Sequence, residues 1–449
     1  MQRRDFDVVI LGSGTAARQV AFRCARAGRR VAVVDSRPFG GTCALRGCDP
    51  KRVLLSAAEL VDEKRRLAEH GVRGPLAVDW PALIRFKRSF TDPLPDVMKR
   101  RLDEMDIATF YGRARFVEER EVQVGTGVLR GDKIVIATGA RPRPLAIPGH
   151  EHVVTSDMFL DLIELPRRVV FIGGGYVSFE LGHLCARAGA DVTVLHRGVR
   201  PLKAFDGDLV ARLVERTRAL GVHIDLEAEA RAVERENRHL QVYADLDKKR
   251  RAFETDLVVH GAGRVPELDD LDLEAAGVAR DRGGVVVDAH LRSTTNPHVY
   301  AAGDAASSGP SLTPAADLEG AVVGHNLCAD EPRAPDYRGL ASVCFSIPPI
   351  ARVGLSEEEA RAQAGRLRVV HEDTASWFSA RRRREPCSAF KVLIDDESDR
   401  VLGAHVVGPT AEETINLFAL AIRAELPAST LKYTPFAYPT AASEISRMI

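Results

Sequence analysis

Cysteine is sparse, with 7 in 449 residues, and the spacing lacks the density of a stapled secreted scaffold. A chain of this composition belongs in a reducing compartment, where a structural disulfide framework would not persist. Any cysteine pair with deliberate spacing is then a catalytic or metal candidate. An excess of one charge is also missing. Lys plus Arg and Asp plus Glu both number 63, which removes the field that would gather nucleic acid or an anionic membrane. Aromatic residues are few, and none interleave the basic run Arg381 to Arg384, so that run reads as a solvated loop rather than a surface for stacking bases. No stretch approaches the length of a membrane span. The opening MQRRDFDVVILGSG carries an apolar run of only about five residues before a glycine turn, which reads as a strand and not a secretory signal, so the expected setting is the cytoplasm. The length suggests roughly three domains with large cores.

What is present begins with a duplication. VVILGSGTAARQVAFRCARAGRRVAVVDSR from Val8 and VVFIGGGYVSFELGHLCARAGADVTVLHRG from Val169 align without a gap. Each is an apolar strand, a glycine turn, a helix with small residues on one face and a second Val-rich strand, the βαβ unit of a dinucleotide site. Gly12 permits the tight turn, Gly14 lets backbone approach a pyrophosphate, and Ala17 stands where helix packs closely on strand; Gly173, Gly175 and Ser178 repeat the pattern. The end of the second strand separates the two copies. Asp35, 23 residues after Gly12, suits a free ribose hydroxyl, whereas the matching His196, with Arg197, Arg200 and Lys203 beyond it, suits a ribose carrying a 2′-phosphate. FAD is therefore expected in the first site and NADPH in the second.

After Asp35 comes GGTCALRGCDPKRVLL, Gly40 to Leu55, with Cys43 and Cys48 five apart and a Pro-Lys helix start just beyond. A helix N-terminus there would favour thiolate at both cysteines. Zinc needs about four ligands and no second Cys or His pair has ligand spacing, so no metal is expected. Cys24 and Cys185 hold matching places in the two CARAG helices and read as small buried residues.

With these residues the sequence resembles the pyridine nucleotide-disulfide oxidoreductases, the family of dihydrolipoamide dehydrogenase, glutathione reductase, trypanothione reductase and mercuric reductase. The landmarks run the length of the chain: ATGA (Ala137–Ala140), TSDMF (Thr155–Phe159), GGGYVSFE (Gly173–Glu180), GAGRVPEL (Gly261–Leu268), YAAGDAA (Tyr300–Ala306), LTPAADLEG (Leu312–Gly320) and FSIPPIARVGLSEEEA (Phe345–Ala360). The resemblance implies an α/β fold with two Rossmann-like dinucleotide-binding domains and a C-terminal α+β dimerisation domain. Residues 1–145 and 266–333 would hold FAD, 146–265 NAD(P)H, and 334–449 would form the interface of a homodimer. It implies that Cys48 faces the flavin and Cys43 attacks the substrate, that Lys51 sits by the flavin paired with Glu180, and that Tyr176 gates the nicotinamide pocket. Asp304 would bond the ribityl chain, while Thr42, Ala137, Thr138, Gly139, Gly263, Gly303 and Thr313 would border the cofactors. A buried lysine needs such a carboxylate partner, and its charge stabilises a reduced flavin anion.

The chain departs from the family at its end. The usual His-Pro-Thr segment carries a glutamate five residues after the histidine; here it reads YPTAASEI, with Tyr438 in the histidine position, Ser443 in that of the glutamate and Glu444 one residue late. A phenol, with a pKa of about 10, donates a proton but is rarely ionised at neutral pH. No cysteine follows Cys387, so the C-terminal pair of mercuric reductases is missing, and the places of glutathione-anchoring arginines hold Phe22 and Ala321. The reading is an NADPH-dependent flavin disulfide reductase of a small acceptor, with Tyr438 and Glu444 supplied across the dimer. The alternatives are reduction of a quinone or metal ion, and a low-turnover redox sensor.

Overall fold

The computed structural model describes residues 3–449. Two compact units emerge: Met1–Pro50 with Phe86–Arg143 and Arg264–Tyr337, and Lys51–Arg85 with Pro144–Gly263 and Arg338–Ile449.

The first unit is built on a seven-stranded sheet. Strands Ala108–Tyr111, Val31–Asp35, Arg3–Leu11 and Gly127–Ile136 lie in that order, all parallel. The long strand Gly127–Ile136 serves two neighbours on its far edge, the antiparallel Glu121–Val124 near its start and the parallel Val299–Ala301 near its end. Val8–Leu11 and Val31–Val34 are buried on both faces, which explains why they read as continuous β-branched runs instead of an alternation. Helix Thr15–Arg26 packs Ala16, Ala17, Val20, Ala21 and Cys24 inward.

The second unit repeats the scheme. His223–Leu226, Asp191–His196, Arg168–Ile172, Leu257–His260 and Val153–Val154 form a parallel sheet, flanked by an antiparallel ribbon of Glu229–Glu236, His239–Leu246 and Lys249–Thr255. A separate antiparallel five-stranded sheet, Ser342–Cys344, Ile350–Gly354, Arg400–Val407, Ala389–Asp395 and Leu367–Asp373, packs against helix Ala411–Arg423 through Ile415, Phe418 and Ala421. This matches the expected α/β class with an α+β C-terminal part.

The duplication holds in atomic detail. Gly12 (φ +110°) and Gly173 (φ +114°) each donate their N–H to the second strand of their unit, at Val34 O (2.7 Å) and Leu195 O (2.8 Å). A Cβ at Gly12 would come within 2.2 Å of Ala137 O, and one at Gly173 within 2.2 Å of Gly261 O. Positive φ and missing room together leave glycine as the residue for both turns.

Helix Cys48–Arg66 begins in the first unit's sequence and continues in the second. Leu54, Leu55 and Ala58 anchor it in an apolar core, each leucine contributing about 2 kcal/mol by burial. Further along, the buried Asp62 accepts from Arg187 and Arg66, each at 2.8 Å, while Arg216 reaches Glu385 at 3.1 Å. Asp62 and Arg187 are 2% and 1% exposed, so breaking this pair would strand a charge without water.

Candidate active site

The first glycine turn is shaped for a pyrophosphate. Gly41 comes so close to Gly14 that a Cβ on it would lie 2.4 Å from the Gly14 Cα, so bare backbone lines this turn. Asp35 ends its strand half-buried, accepting from Ser13 Oγ at 2.6 Å and Arg37 N at 2.9 Å. These bonds fix the carboxylate and leave acceptor capacity for a ribose. Beside the turn, Ala137 N bonds Leu11 O, Gly139 adopts φ +72°, and the Thr138 hydroxyl is buried without a partner, an acceptor or donor awaiting a ligand. Asp304 sits in a short 3-10 turn after Gly303, and burial raises its carboxyl pKa, opposed by the nearby Arg264 charge. The residues present therefore fit FAD.

That turn is held by a residue which sequence reasoning passed over. Glu319, 1% exposed, accepts from Gly303 N (2.6 Å), Ser308 Oγ (2.8 Å), Gly309 N (3.2 Å) and Tyr337 OH (2.6 Å). The signal was available: a lone acid on the small, apolar face of the helix that opens TPAADLEG.

In the second dinucleotide turn, Ser178 Oγ is buried and unpaired, and a Cβ on Gly261 would lie 2.0 Å from it, leaving the helix tight on the strand end. Gly175 caps helix Tyr176–Arg187, and Gly263 adopts φ +100°. At the strand end the structure changes the expectation for His196. Its Nε2 donates to Arg200 O at 3.0 Å, its ring lies where a side chain on Gly174 would stand, and burial lowers its pKa. A ring spent on packing the loop carries no charge for a 2′-phosphate near neutral pH. Arg197 and Lys203 are exposed, while Arg200, also expected at this strand end, is half-buried and donates to Lys203 O at 3.3 Å.

The cysteines come together through the first unit. Thr313, the first residue of helix Thr313–Asn326, donates its hydroxyl to Cys43 Sγ at 3.2 Å and lies 3.7 Å from Cys48 Sγ. Both cysteines are free thiols, and the Cys43 thiol is hydrogen-bonded to Cys48. The expectation of thiolate at both needs correction. Cys43 lies in its own short helix, Gly41–Arg46, and its pKa is raised by the hydrogen bond to Cys48, by burial and by the Cys48 charge. Cys48 alone is the first residue of the long helix, two residues earlier than the Pro-Lys pair suggested, where unsatisfied N–H groups favour negative charge.

One turn beyond Cys48 on the same helix, Lys51 forms an ion pair with Glu180. Glu180 is 1% exposed, and its other oxygen accepts from Phe345 N at 2.9 Å. Tyr176, four residues before Glu180, packs its ring on Phe205 (centroids 5.4 Å) and hydrogen-bonds Ser342 at 2.6 Å, with burial raising its phenol pKa. Thr42 is half-buried within the short helix.

The C-terminal segment splits the two residues expected to act together. Tyr438, before a cis Pro439, is 84% exposed. Glu444 instead turns into its own chain, where a carboxylate oxygen accepts from Ser379 N at 3.0 Å at the start of helix Phe378–Arg381. Among the described residues no group of three or more His, Cys, Asp or Glu could hold a metal ion, and no helix is long and apolar enough to cross a membrane.

The chain is similar to known proteins along nearly its whole length. The family model of the pyridine nucleotide-disulphide oxidoreductases matches residues 6–320, and that of their dimerisation domain matches 340–449. The chain is 32% identical over 446 residues to a glutathione reductase of Burkholderia cepacia, covering 99% of this chain and 98% of that one. It is 30% identical over 443 residues to a mercuric reductase of Bacillus cereus, covering 98% of this chain and 70% of the other. Among solved structures, the Cu(II) complex of HOCl-induced flavoprotein disulfide reductase RclA from Escherichia coli superposes with a TM-score of 0.89 at 28% identity, covering 99% of each chain.

Proposed function

The chain belongs to the pyridine nucleotide-disulphide oxidoreductases, and we propose that within them it is an NADPH-dependent reductase of a small disulfide. It is an oxidoreductase of the flavoprotein disulfide reductase type that uses FAD and a pyridine nucleotide. The finer reading assigns FAD to residues 1–145 and 266–333, NADPH to 146–265 and a homodimer interface to 334–449. Bound FAD supplies a ring that takes a hydride from the nicotinamide and passes two electrons on.

The chain's own residues do the rest. Asp35, fixed by Ser13, receives the ribose of the first dinucleotide, and Arg197 and Lys203 receive the 2′-phosphate of the second. Lys51, held by the buried Glu180, brings a positive charge to the flavin and favours its reduced form. Cys48 carries the negative charge of the reduced pair at the helix start. Cys43 gives up its proton as it attacks the acceptor: its sulfur bonds one sulfur of the small disulfide, and the other leaves and takes up that proton as a thiol. Cys48 then displaces the acceptor from Cys43, restoring the Cys43–Cys48 disulfide. Tyr438, exposed and contributed by the partner copy, supplies a proton to the leaving thiolate; Glu444 shapes the segment through Ser379.

The observation that carries this reading is the Cys43–Cys48–Thr313 cluster, in which Cys48 heads a long helix and the Thr313 hydroxyl lies within 3.2 Å of Cys43 Sγ and 3.7 Å of Cys48 Sγ. Steady-state NADPH oxidation against a panel of small disulfides, quinones and metal ions tests it. Rapid turnover of one disulfide, lost in Cys43→Ser, supports the proposal, and turnover of none of them leaves a redox sensor.

A specific observation favours a second reading, reduction of a metal ion as substrate. The RclA structure contains Cu(II), and the family histidine is replaced here by Tyr438. Fast turnover of Cu(II) with none of any disulfide in the same panel would select it.

A further inference from the structure

Cys24 was expected to be a small buried residue, yet the structure sets its sulfur 3.8 Å from that of Cys328, 304 positions away in sequence. Cys24 lies in the last turn of helix Thr15–Arg26, fully buried, and Cys328 follows helix Thr313–Asn326, half-buried. The two helices are packed without slack. A Cβ on Gly320 would lie 2.5 Å from Ala16 O, Gln19 donates to Asp317 at 2.6 Å, and Arg23 meets His325 at 3.1 Å. Each helix starts at the cofactor side of the fold, one at the Gly12–Gly14 turn and the other at Thr313 beside Cys43. Their cysteines are at the opposite ends. Fifteen residues of helical rise place Cys328 roughly 22 Å from Thr313, too far for direct exchange with the catalytic pair.

We propose that Cys24 and Cys328 are a second dithiol, separate from Cys43 and Cys48, which a peroxide closes to a disulfide that staples the two helices bordering the FAD site. The half-buried Cys328 thiolate attacks a peroxide oxygen and becomes a sulfenic acid, breaking the O–O bond and releasing hydroxide. Cys24 then attacks that sulfur, and its proton leaves with the displaced hydroxide as water. Two electrons pass from the two sulfurs to the peroxide, and hydrogen peroxide ends as two waters. The remaining thiols Cys185, Cys344 and Cys387 are buried away from oxidant. Closing so long a loop restricts the unfolded chain strongly, so the staple retains FAD when oxidants would otherwise favour loss of structure.

The test uses the FAD-loaded enzyme carrying Cys43→Ser and Cys48→Ser, which removes the catalytic pair from the count. After hydrogen peroxide treatment, thiol titration should show a loss of two thiols, and mass spectrometry should find the Cys24 and Cys328 peptides joined. The urea midpoint for FAD release should rise, and dithiothreitol should reverse the rise. Adding Cys328→Ser should abolish both the linkage and the shift. Cys328 oxidised to sulfinic acid with Cys24 still free, or no thiol lost, would overturn the proposal. A linkage formed with no shift in FAD release would overturn its stapling role.

Discussion

Replacing both Arg197 and Lys203 by alanine should convert the enzyme from NADPH preference towards indifference. Burial lowers the His196 pKa, against the opposing effect of its hydrogen bond to Arg200 O, so under the proposed function Arg197 and Lys203 would carry the 2′-phosphate recognition. A hydrogen bond to a charged group is worth about 1.5–3 kcal/mol in general. Both residues are exposed, so solvent screening reduces each to roughly 1–1.5 kcal/mol. Every 1.4 kcal/mol is about tenfold, which gives a loss of roughly 30- to 100-fold in kcat/KM for NADPH in the double variant. NADH lacks the phosphate and should change by less than about threefold. Steady-state kinetics with both nucleotides at two salt concentrations decides the matter, since the NADPH advantage of the unsubstituted enzyme should also shrink as salt rises. Equal losses for the two nucleotides, or an NADH preference before any substitution, would refute the reasoning.

Glu180→Gln should leave Lys51 half-buried without its counter-charge, costing about 3 kcal/mol and lowering the lysine pKa; thermal melts and the pH dependence of FAD reduction by NADPH check both effects. Tyr438→Phe should slow reoxidation by the acceptor by at least about tenfold while FAD reduction by NADPH stays unchanged in stopped-flow absorbance, and its pH profile should show no limb near pH 6.5. Acid stability offers a further check at Asp256, held at about 2 first by its hydrogen bond to Arg168. A carboxyl depressed in the folded state stabilises above its unfolded value of about 3.9, and that contribution is lost as pH falls through the folded value. Asp256→Asn should therefore flatten the decline in melting temperature between about pH 4 and pH 2, with the larger destabilisation at neutral pH.

Much of this was legible in the sequence, for reasons that are local. Gly12 and Gly173 announce themselves because no other residue combines their positive φ with so little room. The buried parallel strands could be read from unbroken Val and Ile, and the Lys51–Glu180 pair was implied by the family resemblance, in keeping with the need of a buried charge for a partner. What escaped depends on contacts between distant segments. His196 looked like a phosphate ligand until Gly174 and Arg200 claimed its ring. Glu444 looked available until Ser379, 65 residues away, claimed its carboxylate. The fourfold hydrogen bonding of Glu319 and the meeting of Cys24 with Cys328 follow from helix packing that no spacing rule encodes.

Under the proposed function, electrons pass through Cys43 and Cys48 on their way from nicotinamide to acceptor. Anaerobic reductive titration of the FAD-loaded enzyme, followed by flavin absorbance and thiol count, tests it most directly. The unsubstituted protein should take up twice the reducing equivalents per FAD that Cys43→Ser does, and its first equivalents should release the Cys43 and Cys48 thiols with a long-wavelength absorbance that Cys48→Ser lacks. Equal uptake by the two proteins, with flavin bleaching from the first addition and no thiols released, would contradict it.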